Sequence, residues 1–211
     1  MDNDAWRLYV LLYKWFTWSL IVVVILLLLT GIFIGKVFCQ DFDGICRMSC
    51  NGKQWTGVAI SDHEILTVAH HEETENIRAE FPERGHGAFE RIGVKATIVR
   101  ANKAADLSLL YYKCPSYATI RTYKVSAGQF EDVLIRGYVG DKPMMLKTSI
   151  MPVDNSLDGY KILTLRGLAV VGMSGSPVTS DDVLVGIQFG ITDTDTNAAT
   201  ADTIIQFLED K

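Results

Sequence analysis

Basic residues never gather in this chain. Twenty lysines and arginines stand against 25 aspartates and glutamates, for a net charge of −5 over 211 residues. With no basic block to neutralise phosphates, nucleic acid is not an expected partner. Cysteine is scarce too: Cys39, Cys46, Cys50 and Cys114 are too few to define a disulfide scaffold. The Cys46-x-x-x-Cys50 spacing fits no common zinc site. Asp193-Thr194-Asp195-Thr196-Asn197 imitates the start of a calcium loop, but Ala198 stands where the loop needs glycine and Ile204 where it needs glutamate. No metal and no cofactor is therefore expected. Internal repeats and low-complexity tracts are missing, and helical periodicity does not persist anywhere between the N-terminal apolar run and Thr203–Asp210.

Charge is absent altogether from Trp15 to Gly35, WFTWSLIVVVILLLLTGIFIG. As a helix this run reaches about 31 Å, enough to cross a hydrocarbon core. Trp6, Tyr9, Tyr13, Trp15 and Trp18 crowd its entrance, as interfacial aromatics do. A secretory signal has a shorter apolar core and small residues before its cleavage site. The exit Lys36-Val37-Phe38-Cys39 has none, so an uncleaved, single-pass membrane anchor over residues 1–38 is the better reading. Arg7 and Lys14 before the run and Lys36 after it favour an inside N-terminus, which puts the rest of the chain on the opposite face. Gly31 and Gly35 form a Gly-x-x-x-Gly pair that could seat a second helix in a weak dimer, although chance also produces such pairs.

Residues 39–53 read as a juxtamembrane linker. From Gln54 onward short runs rich in Val, Ile, Leu and Tyr follow one another between Gly, Asp, Asn and Lys. Gln54–Ile60 and Ile65–Val68 flank the polar turn 61–64 and predict a hairpin. Further strands are predicted over Asn76–Phe81, Phe89–Arg100, Leu107–Tyr112, Asp132–Val139, Met144–Pro152, Tyr160–Leu165, Pro177–Thr179 and Val183–Ile191. A short helix is predicted at Thr203–Asp210. This succession predicts an all-β barrel or sandwich rather than an α/β sheet. A boundary between two β halves falls near Cys114–Ser126, where Pro115, Ser116 and Gly128 loosen the pattern.

Within that frame, Gly172-Met173-Ser174-Gly175-Ser176-Pro177 places a serine between glycines on a sharp turn. Such a turn lifts the hydroxyl out of the chain and aims nearby amides at one point, where an anion can develop. A serine hydroxyl needs a base during attack, and histidine suits that task near neutral pH. His70 directly follows the apolar run Leu66–Ala69, at a strand end. His71 competes for the role, while His63 and His86 lie in polar or glycine-flanked positions and read as solvated. Asp106, at the mouth of the apolar strand Leu107–Leu110, is a carboxylate that needs a partner and can orient an imidazole. The bland alternatives are an ordinary turn serine and a strand-start acid.

These three elements, in the order His, Asp, Ser, resemble the motifs of chymotrypsin-fold serine peptidases over roughly residues 54 to 200. The motifs here are Leu66-Thr67-Val68-Ala69-His70, Ala105-Asp106-Leu107-Ser108-Leu109 and Gly172-Met173-Ser174-Gly175-Ser176-Pro177. The resemblance implies two antiparallel β-barrels, about 54–120 and 121–200, in a peptidase domain over 54–211 that ends in the short helix. It makes Ser174 the nucleophile, His70 the general base and acid, Asp106 its orienter, and the amides of Gly172 and Ser174 the oxyanion donors. It places substrate along Gln188, Phe189 and Gly190, and Leu168 at the base of the primary specificity pocket. An apolar Leu168 implies an apolar preference, unless Asp193, Asp195 or Asp202 reaches in and restores a basic one. Val68 and Met173 depart from the commonest family residues at their positions. The short spacing and sparse cysteines are similar to bacterial and viral branches, in which a membrane segment can accompany a polyprotein-processing peptidase. The expected activity is hydrolysis of polypeptides through an acyl-enzyme. The alternative is a membrane-tethered peptide-binding module of the same fold without turnover.

Overall fold

The structure, a computed structural model, describes residues 13–28, 42–71, 76–82, 91–116, 120–128, 130–152 and 155–210. Helix α1 covers residues 13–28, and its apolar side chains are exposed around its circumference, from Leu20 and Val22 to Leu26 and Leu28. Among the described residues no helix is long and apolar enough to cross a membrane. The predicted span ran to Gly35; its last third, with the Gly31/Gly35 pair, lies outside the described residues, as do Trp6, Tyr9 and His86.

Thirteen strands follow among the described residues. In the first half these are β1 (Ile45–Cys50), β2 (Lys53–Ser61), β3 (Glu64–Thr67), β4 (Ile77–Pro82), β5 (Arg91–Asn102) and β6 (Leu107–Tyr112), closed into a barrel in the order β1-β2-β3-β6-β5-β4. The alternating burial of β4 and of the first half of β5 is the period of a strand with one face on a core. Met48, Val58, Ile65, Leu66, Phe81, Leu107 and Tyr112 fill that core.

Strand β1 corrects the linker reading. Phe42 and Asp43 are already buried, and Cys46, Met48 and Cys50 face the barrel interior. Asn51 and Gly52 form an antiparallel turn, across which Cys50 pairs with Lys53. Gly44 has φ +81, and a Cβ there would lie 2.1 Å from the carbonyl oxygen of Arg121, so only glycine lets the entering chain lie against the connection between the halves. Burial raises the Cys46 thiol far above its ordinary range, which leaves it an inert core group.

The second half contains β7 (Asp132–Val139), β8 (Lys142–Ser149), β9 (Asn155–Leu157), β10 (Tyr160–Arg166), β11 (Pro177–Ser180), β12 (Val183–Ile191) and β13 (Asp195–Thr200), ordered β8-β7-β11-β12-β13-β10-β9. A bridge between Ile150 and Leu165 brings the far edges of this seven-stranded sheet together. Strand β13, which is not among the strands the sequence predicts, is an internal strand, with Ala198 and Ala199 buried between β12 and β10. Its small side chains and threonines carry too little apolar mass to announce burial. Helix α2 (Ala201–Glu209) is capped by Thr200, whose hydroxyl accepts the Thr203 amide. It reaches back to the first barrel, where the Arg100 guanidinium lies 4.5 Å from the Phe207 ring centroid.

Thr56 bonds to both halves, at three points. Thr56, on β2 and fully buried, donates its amide to the Ser174 carbonyl at 2.8 Å. Its carbonyl accepts the Thr67 hydroxyl at 2.6 Å, and its own hydroxyl accepts the Tyr138 amide at 2.9 Å. Thr56→Val keeps the shape and deletes only the acceptor for Tyr138. A buried amide left unpaired costs about 1–3 kcal/mol. Urea unfolding of Thr56→Val should show a lowered midpoint with an unchanged slope; an unchanged midpoint would discount the bond.

Candidate active site

The chain reaches His70 from β3, and Asp106 stands at the entry to β6, which pairs with β3 from Glu64↔Tyr111 to Thr67↔Ser108. Antiparallel pairing thus brings together residues 36 positions apart. The His70 Nδ1 lies 2.7 Å from Asp106 Oδ2, while Asp106 Oδ1 accepts the amides of His70 at 2.8 Å and Ala69 at 3.0 Å. Both carboxylate oxygens are therefore satisfied, and one holds the backbone that carries the imidazole. Asp106 adopts φ 50, a left-handed conformation that aspartate tolerates better than most residues. Its side chain is 17% exposed and that of His70 40%, so the pair opens to solvent on the imidazole side.

His71 plays a different part. Its ring stacks on Trp55 at 5.0 Å, and the His70 ring stands 4.2 Å away at 53°. Burial, then the neighbouring His70, lowers the His71 pKa from 6.5 to about 4. At neutral pH it is an uncharged platform beside His70.

Two tight turns build the serine loop. Met173 donates to the Val170 carbonyl at 3.1 Å, with Gly172 at φ +99 in the third position. Ser176 donates to the Met173 carbonyl at 3.0 Å, with Gly175 at φ +83 in the third position. Positive φ at that place is the type II pattern, which glycine meets without strain. A Cβ on Gly175 would also lie 1.9 Å from the Thr56 carbonyl oxygen. Ser174, half-buried, sits between the two glycines, held by the bond from Thr56. Met173 is sealed in the apolar core of the second sheet with Val133, Ile135, Leu165 and Val178, so an apolar side chain suits that place.

The residues that the resemblance places along substrate lie on β12 and on the segment after β10. Gln188 donates its amide to the Ser176 carbonyl at 2.9 Å and accepts the Gly175 amide at 2.8 Å. Its backbone is thereby committed to the serine loop, and the edge on that side that a peptide could join begins at Phe189. Gly190 lies past a bulge, with nothing within 4 Å of the position a Cβ would take. Leu168 is 53% exposed, and with Val170 and Val171 it forms an open apolar ledge. The flanks of Leu168 are pinned because Thr196 Oγ1 accepts the Ala169 amide at 2.7 Å and donates to the Gly167 carbonyl at 2.8 Å. Asp195 is turned to its own hairpin, accepting the Thr194 hydroxyl at 2.7 Å, and Asp202 sits in the first turn of α2.

Three residues to which sequence reasoning gave no role contribute here: Thr56, Asn102 and Tyr160. Thr56 had no local signal. Asn102 stands in a turn-prone Ala-Asn-Lys stretch and bonds to Tyr160 on the second sheet at 2.9 Å. Among the described residues no group of three or more His, Cys, Asp or Glu is placed to hold a metal.

No protein-family model and no curated protein sequence matches the chain. Solved structures do. The Rv3671c protease from M. tuberculosis in its active form is 18% identical, with a TM-score of 0.64 over 82% of this chain and 83% of that one. A human pathogenic astrovirus serine protease is 17% identical, with a TM-score of 0.57 over 74% and 88%. The MamO protease domain from Magnetospirillum magneticum is 14% identical, with a TM-score of 0.62 over 80% and 97%. At such identities the likeness is one of fold: the β domain has the architecture of the chymotrypsin-fold serine proteases.

The lowered His71 pKa sets a pH dependence. Unfolded, this imidazole binds a proton near 6.5, and folded only near 4. Between those values the unfolded state holds more protons, so stability falls as pH falls. Thermal melts of His71→Gln should lose less Tm than wild type from about pH 6.5 to pH 4; parallel declines would overturn the assignment.

Proposed function

We propose that this protein is a membrane-anchored serine endopeptidase. The observation that carries the reading is the His70–Asp106 pair, 2.7 Å apart, on the barrel whose Thr56 also holds Ser174. In this reading His70 Nε2 takes the proton from Ser174 Oγ as the oxygen attacks the scissile carbonyl. Asp106 keeps the Nδ1 proton in place and stabilises the imidazolium. The amides of Gly172 and Ser174 receive the oxyanion of the tetrahedral intermediate. His70 returns the proton to the leaving amine, water then adds to the acyl-enzyme with His70 again as base, and Ser174 is regenerated.

The substrate peptide would join β12 at Phe189–Gly190, beyond the committed backbone of Gln188. The ledge of Leu168, Val170 and Val171 favours cleavage after an apolar side chain. The engagement of Asp195 with Thr194 weighs against a basic preference from that residue. Anchoring is supported by the uncharged run 15–35 and by the exposed apolar side chains of α1. A soluble helix would bury such a face.

Ser174→Ala should abolish peptide hydrolysis and fluorophosphonate labelling, a loss of about 10⁶-fold in kcat, with the melting profile retained. Turnover unchanged in that variant would sink the nucleophile assignment, and a wild-type chain that neither turns over nor labels would favour the inert binding module. After alkaline carbonate washing of membranes, the full chain should stay in the pellet; recovery in the supernatant would refute the anchor.

A further inference from the structure

Asp106 must be held in a left-handed conformation at the end of a turn, and the brace for that turn is Asn102. The Asn102 Oδ1 accepts the Ala105 amide at 3.0 Å, and the Asp106 amide reaches the Lys103 carbonyl at 3.3 Å. Because the Ala105 amide can only donate, the carboxamide oxygen must face it. The Asn102 Nδ2 is thereby left for the Tyr160 hydroxyl, 2.9 Å away. Asn102 ends β5 of the closed barrel, whereas Tyr160 begins β10 of the second sheet. The link thus crosses between the two halves. The cleft beside it is bordered by Ala104, Asp106, Leu157, Tyr160 and Phe189.

We propose that Asn102, anchored through Tyr160, is a positioning residue for His70. It acts on the 102–105 turn, the turn sets the Asp106 carboxylate, and the carboxylate sets both the imidazole and the backbone amides of Ala69 and His70. Asp106 at φ 50 stays in that conformation only while its surroundings impose it, because the left-handed region disfavours a residue with a Cβ. Without the carboxamide the Ala105 amide loses its acceptor, and the turn is free to relax and draw the carboxylate off Nδ1. Tyr160 supplies what a local turn lacks, a fixed point on the other half. The register of the acid–imidazole pair in the barrel therefore depends on the seating of the second sheet. The kinetic consequence rests on the endopeptidase reading; the effect on the His70–Asp106 bond does not.

The test compares wild type, Asn102→Ala and Tyr160→Phe as full chains in detergent micelles. Tyr160→Phe removes one oxygen and keeps the ring, so it remains informative where Asn102→Ala fails to fold. The first readout is the low-field proton resonance of the His70 Nδ1–H, assigned by its disappearance in His70→Ala. It should broaden or vanish in both variants while the melting profile stays cooperative. The second readout is kinetic: kcat should fall about tenfold to a hundredfold, with KM within about twofold. In an Asp106→Ala background, Asn102→Ala should add less than about twofold, because a residue acting through Asp106 has nothing left to position. An unchanged resonance in both variants, or full additivity with Asp106→Ala, would overturn the proposal. A wild type without hydrolysis, whose resonance is nevertheless lost on Asn102→Ala, would sink the endopeptidase reading and support the brace.

Discussion

The molecule depends on three hydrogen bonds that meet at Thr56. Its amide holds the serine loop, its carbonyl holds Thr67 on the strand leading to His70, and its hydroxyl holds the first strand pair of the second sheet through Tyr138. Thr67 and Tyr138 are buried and Ser174 half-buried, and away from water a bond that is made contributes modestly while one that is broken costs more. Neighbouring positions are built to match. Gly175 and Gly137 leave no room for a Cβ, at 1.9 Å from the Thr56 carbonyl oxygen and 1.8 Å from the Ser176 hydroxyl respectively. Close backbone approach, rather than side-chain chemistry, brings the loop carrying Ser174 against the barrel carrying His70 and Asp106.

The electrostatics follow from the same packing. Two backbone N–H groups, those of Ala69 and His70, and the imidazole Nδ1 converge on the Asp106 carboxylate at the edge of the cleft. His71, one residue further on, receives no such partner and is pressed against Trp55, so it remains neutral where a second positive charge would oppose an imidazolium on His70. Adjacent residues of one type thus take opposite parts. Their direction along the chain decides which of them meets the carboxylate.

Much of the fold was legible in the sequence because strands announce themselves by alternating or continuous apolar runs. Leu107–Tyr112, Asp132–Val139 and Val183–Ile191 were read at the bounds they adopt. The failures have a common cause. Strand β1 hides among cysteines, a methionine and serine, and β13 among alanines and threonines, so neither carries the bulky β-branched signal that marks a buried strand. The family resemblance implies substrate along Gln188, yet the serine loop already occupies its backbone, a pairing that no local pattern announces.

The sequence by itself determined the chemistry that is present: an uncharged apolar run, a serine between glycines, a histidine after a strand and an aspartate before one. These are local properties, set by side-chain identity and by conformations that only glycine or a short polar residue adopts readily. The tertiary structure alone decided which histidine meets Asp106, that Thr56 joins the two halves, and that Asn102 reaches Tyr160 across them. Those outcomes depend on strand register and on how one sheet seats against another, and both arise from long-range pairings that no window of the chain contains.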